Sequence, residues 1–193
     1  SSGGGHTVLA LLNPSVPIQA GEAETLRAWS DGAGGGDLVL AGPGAIAAMR
    51  CFGYNLEWRP FDSLVVRGIP TAHQWPKVDG VLAAVTDSVV TDSSRAADAR
   101  VTGCRVAPIG SVDTLLMSRT GRAVALRLHR ADADREVLLL ADAGLLRNRA
   151  LRETDAGPFA LRLFWPRYTR VLFDEAHHGF AEGGSLADAT LAW

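Results

Sequence analysis

Four short apolar runs in this chain each stop abruptly at polar or turn-forming residues, and that repetition constrains the fold more than any single motif. Val8-Leu9-Ala10-Leu11-Leu12 stops at Asn13-Pro14, and Leu38-Val39-Leu40-Ala41 stops at Gly42-Pro43-Gly44. Val137-Leu138-Leu139-Leu140-Ala141 ends at Asp142-Ala143-Gly144, and Val171-Leu172-Phe173 runs into Asp174-Glu175-Ala176-His177-His178-Gly179. Uninterrupted apolar runs of this length read as strands buried on both faces. Between the first two, Gly21 to Asp31 reads as a helix: Glu22 and Glu24 favour the positive end of the dipole, and Leu26 and Trp29 supply an apolar face. Gly32 to Gly36 ends it, and Ala45 to Phe52 reads as a small-residue helix closed by Gly53. Strand, helix, strand, helix implies parallel pairing with right-handed crossovers. If the four strands are parallel neighbours, their tips share the carboxyl edge of one sheet, where open α/β folds place ligand crevices. The expected fold is α/β, three-layer, with a mostly parallel sheet and a composite site.

The middle of the chain breaks this pattern. From Tyr54 to about Gly110, Trp58, Pro60, Pro70, Trp75 and Pro76 punctuate weak periodicity, with brief strand-like runs at Leu64-Val65-Val66 and Val101 to Val106. Residues 54–110 are therefore expected to form an irregular, partly β excursion within a single domain spanning 1–180. From Val112 a meander is expected: Leu115-Leu116-Met117, a turn at Arg119-Thr120-Gly121, then Ala123 to His129 with alternating Val124, Leu126 and Leu128. Leu145 to Arg152 is a short basic segment, Pro158 to Phe164 reads as a helix, and 181–193 reads as a tail or tether.

Composition narrows the partners. With 193 residues, 47% of them apolar, the chain can bury a core of its own. A net charge of −2 gives no electrostatic footprint for nucleic acid, and no basic run would hold the chain on anionic lipid. No apolar run reaches the roughly 18 residues of a membrane span. The opening Ser1-Ser2-Gly3-Gly4-Gly5 has neither an initiator Met nor a signal-peptide pattern, so an excised fragment is expected. Cys51 and Cys104 lack the Cys-x-x-Cys spacing of zinc and redox motifs. They form either one bridge or two buried thiols, and buried thiols are favoured because Cys is often a core residue.

The richest chemistry lies at Asp174 to His178. If the strand stays extended, residues an even number apart share a face, which pairs Glu175 with His177 on one face and Asp174 with His178 on the other, so that the two histidines cannot share one metal. The functional reading is a carboxylate orienting an imidazole, or a metal site completed from another tip such as Asp142. The structural reading is that these carboxylates accept backbone N–H groups or pair with Arg147, Arg149 and Arg152. Asn148, beside that basic segment, joins Asp142, Asp174, Glu175, His177 and His178 as a candidate ligand or interaction residue. Gly42-Pro43-Gly44 is better explained as a tight turn than as an anion site, and Gly32 to Gly36 lacks the Lys-Ser/Thr of a phosphate loop. His6, His73 and His129 read as ordinary histidines.

Four segments together carry a family resemblance: Leu11-Leu12-Asn13-Pro14-Ser15-Val16-Pro17-Ile18-Gln19-Ala20-Gly21-Glu22-Ala23-Glu24-Thr25-Leu26-Arg27-Ala28-Trp29, Gly34-Gly35-Gly36-Asp37-Leu38-Val39-Leu40-Ala41-Gly42, Leu146-Arg147-Asn148-Arg149-Ala150-Leu151 and Val171 to Gly179. The pattern resembles the domain-of-unknown-function 4350 family, with Phe173 to Gly179 its most specific part. The resemblance implies a bacterial, membrane-anchored and extracytoplasmic domain. Its sheet would be flavodoxin-like, similar to class I glutamine amidotransferases, and its membrane segments would lie outside this chain. Two departures stand out. The chain opens near what aligns as the family's second strand, and Ala156 stands where the family tends to carry the amide of Asp-Asn-Ala.

An amidotransferase-like reaction needs a Cys on a tight, glycine-flanked strand-to-helix turn, with His and a carboxylate behind it. Cys51 falls at a helix end, Cys104 precedes no helix, and neither Gly-x-Cys-x-Gly nor Gly-x-Ser-x-Gly occurs. The expected function is therefore a noncatalytic recognition module for an unknown protein partner or small ligand, with no cofactor. The competing expectation is a hydrolase, metal-assisted or not, built on Asp174, Glu175, His177 and His178.

Overall fold

The computed structural model describes residues 6–58, 64–68, 81–83, 87–91, 104–118, 120–153, 156–164, 167–174 and 176–178. The strands are β1 (His6–Leu12), β2 (Asp37–Ala41), β3 (Tyr54–Trp58), β4 (Leu64–Gly68), β5 (Val81–Ala83), β6 (Asp87–Thr91), β7 (Ile109–Met117), β8 (Ala123–Arg130), β9 (Glu136–Leu140) and β10 (Tyr168–Phe173). The helices are α1 (Ala20–Asp31), α2 (Ile46–Arg50), α3 (Asn148–Glu153) and α4 (Ala156–Phe164), with short 3-10 turns at Pro43–Ala45, Ala143–Leu146 and Ala176–His178. No helix among the described residues is long and apolar enough to cross a membrane.

The main sheet runs β10-β1-β2-β9-β8-β7-β4-β5. β10, β1, β2 and β9 are parallel neighbours, with Leu9 beside both Leu172 and Leu38, and Leu38 beside Val137. All four tips consequently lie along one carboxyl edge, as their sequence endings predict. β8, β7, β4 and β5 continue the sheet antiparallel, so three of the five pairings from β10 to β7 are parallel. Among the parallel strands the last one sits outside the first, whereas the flavodoxin order puts the second strand there. β3 and β6 pair as a separate antiparallel ribbon.

Every residue of β2 and β9 is buried. Their apolar runs do not alternate because neighbouring strands and packing on both faces cover them. Leu38, Leu40, Leu138 and Leu140 join Phe52, Phe159 and Leu163 in one core. α1 packs on α2 and α3 on α4. Gly42, at φ 77°, carries the turn after β2, and a Cβ there would sit 2.5 Å from Asn13 Oδ1. The loops after β1 and β2 are thus closed against each other.

Two sequence expectations are corrected here. Cys51 and Cys104 are not separate thiols: they form a buried disulfide with Cα atoms 5.4 Å apart, which pins the end of α2 to the segment entering β7. Cys104 to Pro108 is not a strand; the ladder begins at Ile109, and Val101 to Gly103 lie outside the described residues.

The opposite, amino edge holds a buried ionic cluster. Asp37 is 1% exposed and accepts from the Glu136 backbone N–H (2.9 Å), the Tyr168 hydroxyl (2.9 Å) and Arg167 Nε (3.1 Å). Arg167 also donates to Glu136 at 2.8 Å. Burial and the neighbouring Asp37 push the Tyr168 phenol well up, so it stays a neutral donor. One cluster therefore locks the starting residues of β2, β9 and β10 in register. At the end of α1, Arg130 pairs with Asp31 and Asp132 and lies over the Phe52 ring, tying the helix to β8.

Candidate functional site

β10 stops at Phe173 because its ladder runs out: Asp174 N–H makes a last bond to the Ala10 carbonyl, and the chain then turns into the 3-10 helix Ala176–His178. Strand geometry therefore does not hold across the motif. Asp174 meets His177, three residues apart, at 2.8 Å from Oδ2 to Nδ1; Glu175, the partner expected for His177, lies outside the described residues. The second ring nitrogen, Nε2, lies 3.3 Å from Glu22 Oε1. The His177 backbone carbonyl accepts from Val16 N–H and the Ser15 hydroxyl, both at 2.9 Å. His177 thus clasps three segments: the tip of β10, the loop after β1 and the first turn of α1.

Glu22 has two duties. Its Oε2 accepts the Gln19 N–H at 2.8 Å, capping α1, while Oε1 faces the imidazole. The Gln19 bond, aided by His177, holds its carboxyl below the usual range. For His177, burial pulls the pKa down, but Asp174 and then Glu22 outweigh it and hold it above the ordinary value. A raised folded-state pKa contributes stability that is present below the unfolded value and is lost as pH rises through the folded one. Replacing His177 with Gln should cost about 1 kcal/mol or less near pH 6, because Glu22 is half exposed, and the difference should shrink by about pH 9. Thermal unfolding of both proteins across that range checks this; a gap that widens with pH would contradict the clasp.

Beside the clasp opens a cleft of about 570 Å³ between α1 and strands β1 and β10. Leu9, Leu11, Leu26, Leu172 and Phe173 form its walls, and Glu22, Asp174 and His177 close one end. Phe173 is 57% exposed at the rim. Thr25 also faces the cleft, with its hydroxyl donating to the Gly21 carbonyl.

The sequence candidates separate into different places. Asp174 and His177 meet in this cleft. Asp142 lies at the tip of β9, where its carboxylate accepts the Gly144 N–H at 2.8 Å and starts the following 3-10 turn; it does not line the cleft. Asn148 is exposed at the start of α3, away from the clasp residues that line the cleft. Glu175 and the His178 side chain lie outside the described residues. Among the described residues, the group of three possible metal ligands within 4.8 Å is Glu24, Cys51 and Cys104, two of which are joined as a disulfide. Sequence reasoning missed Glu22 as a site residue: a first-turn carboxylate looks the same whether it serves the dipole, the cap or a distant imidazole.

The sequence profile of a family described as "Domain of unknown function (DUF4350)" matches residues 1–164, so its span begins at the first residue and ends before the Val171–Gly179 stretch. No curated protein matches the chain. Among solved structures, a chain described as "mmIFT52 N-terminal domain" is similar at 14% identity over 81% of this chain and 75% of its own length, with a TM-score of 0.47. With its profile matched across β1 to α4, the chain belongs to the DUF4350 family.

Proposed function

We propose that this domain is a noncatalytic recognition module whose ligand enters the cleft between α1 and β10. The observation that carries the reading is the state of His177. Carboxylates face both ring nitrogens, at 2.8 and 3.3 Å, so neither is free to take a proton from a nucleophile or to bind a metal. The closed end of the cleft holds two carboxylates against one imidazole, and the walls are apolar. That combination suits an apolar group carrying a cation or hydrogen-bond donors, whether on a small ligand or on a partner's side chain.

Placement outside the cytoplasm is supported by the buried Cys51–Cys104 bridge, since structural disulfides persist in oxidising compartments. Anchorage to a bacterial membrane through segments outside this chain, and kinship with class I glutamine amidotransferases, rest on the sequence motifs. The polar tips of four parallel strands on one edge are consistent with that kinship.

Calorimetric titration with n-hexylamine, n-hexanol and n-hexanoate tests the cleft. The amine should bind in a saturable, one-to-one manner, the alcohol more weakly and the carboxylate weakest, and Leu26→Asp should abolish the amine's binding. Equal affinities for the three probes, or binding that survives Leu26→Asp, would remove the assignment.

A further inference from the structure

We propose that a second crevice, at the tips of β1 and β9, is an oxyanion-binding site built from Arg147 and Asn13. This crevice is separate from the α1–β10 cleft, measures about 280 Å³, and is lined by Leu12, Asn13, Ala143, Leu146 and Arg147. Three observations converge on it. The Arg147 side chain is exposed and makes no hydrogen bond or ion pair among the described residues, unlike Arg149, which is held by Glu153 at 2.9 Å. Asn13 is the one non-glycine described at positive φ, 55°, a conformation that costs most side chains free energy and that clusters at ligand sites.

Third, the Asn13 carboxamide lies over Gly42, where only a glycine leaves it room, yet its polar atoms have no partner among the described residues. Arg147 and Asn13, whose side chains can offer a fork of N–H donors and an NH2 group, therefore line one small crevice. The nearest carboxylate in sequence, Asp142, is turned to the Gly144 N–H and does not line the crevice. Leu12, Leu146 and Ala143 supply the apolar part of the crevice walls. The matching chemistry is a carboxylate or a phosphate group, planar or tetrahedral oxygens being equally able to meet a guanidinium fork. In an open α/β sheet this is also the edge where such ligands are held.

Titration of the whole domain with sodium phosphate and, separately, sodium acetate at constant ionic strength, read by ¹⁵N resonances of the Asn13 amide and Arg147 Nε, tests the site. Saturable shifts at both groups are expected with at least one anion, and which anion saturates identifies the chemistry. Arg147→Gln should weaken that binding about tenfold or more, and Arg149→Gln should leave it unchanged. Asn13→Gly keeps the left-handed backbone, removes the amide, and should weaken binding while the remaining amide spectrum stays folded. Shifts that never saturate, or equal losses from Arg147→Gln and Arg149→Gln, would reduce the feature to a diffuse basic surface and overturn the proposal.

Discussion

Removing the Cys51–Cys104 bridge is expected to cost about 4 kcal/mol, from the chain entropy released when a loop with a sequence separation of 53 is opened in the unfolded state. For a domain of this size that corresponds to a fall in Tm of roughly 8–16 °C. Both sulfurs belong to buried residues, so the native bridge should resist dithiothreitol until the protein opens. The loss should therefore show first in scans of Cys51→Ala/Cys104→Ala, and in reductant-treated protein only after an unfolding cycle. The bridge spans the segment holding β3 to β6, so protease cleavage should rise fastest there. An unchanged Tm in the double variant would mean that the cysteines contribute as apolar fillers only.

The second large effect is expected at the amino edge. Asp37→Ala leaves the Tyr168 hydroxyl and the Glu136 N–H without their acceptor, and removes one of the two carboxylates that pair with Arg167. Breaking a buried pair from one side costs about 3–5 kcal/mol. Asp37→Asn keeps one accepting oxygen but turns the other into an NH2 that faces the donors on that side, so it should also be destabilising. Chemical denaturation of both variants checks this. If either variant is as stable as the parent, the cluster does not hold the strand starts together. Because the cluster registers β2, β9 and β10, its loss should also broaden methyl signals of Leu38 and Leu138 in the core.

What the sequence made legible was the carboxyl edge. Leu12, Ala41, Ala141 and Phe173 end uninterrupted apolar runs; those of β2 and β9 are buried throughout as inner strands, whereas β10 lies at the sheet edge and leaves Phe173 exposed, so the expectation of burial on both faces does not hold for the last run. The same alignment, read in the other direction, would have found the amino-edge cluster: Asp37, Glu136 and the Arg167-Tyr168 pair stand at the starts of three of those runs. Polar residues in front of an apolar run pass easily as loop.

The site was only partly legible. Period-two reasoning holds while a neighbouring strand enforces extension, and β10 loses that neighbour just after Ala10, so Asp174 and His177 meet by helical spacing instead. Glu22 could not be assigned from sequence, because its partner is 155 positions away and helix capping already accounts for it. The disulfide was unreadable for a related reason: its ends lie 53 positions apart across weakly patterned chain, and no motif marks them.

The central claim is that the α1–β10 cleft binds without turning over. The most direct measurement is a methyl NMR titration with n-hexylamine, following Leu9, Leu26 and Leu172, paired with the release of p-nitrophenol from p-nitrophenyl hexanoate by the same protein. Saturable shifts at those methyls are expected with the amine, and ester loss no faster than in buffer. Release that saturates with ester and disappears in His177→Asn would contradict it and establish a hydrolase at the clasp.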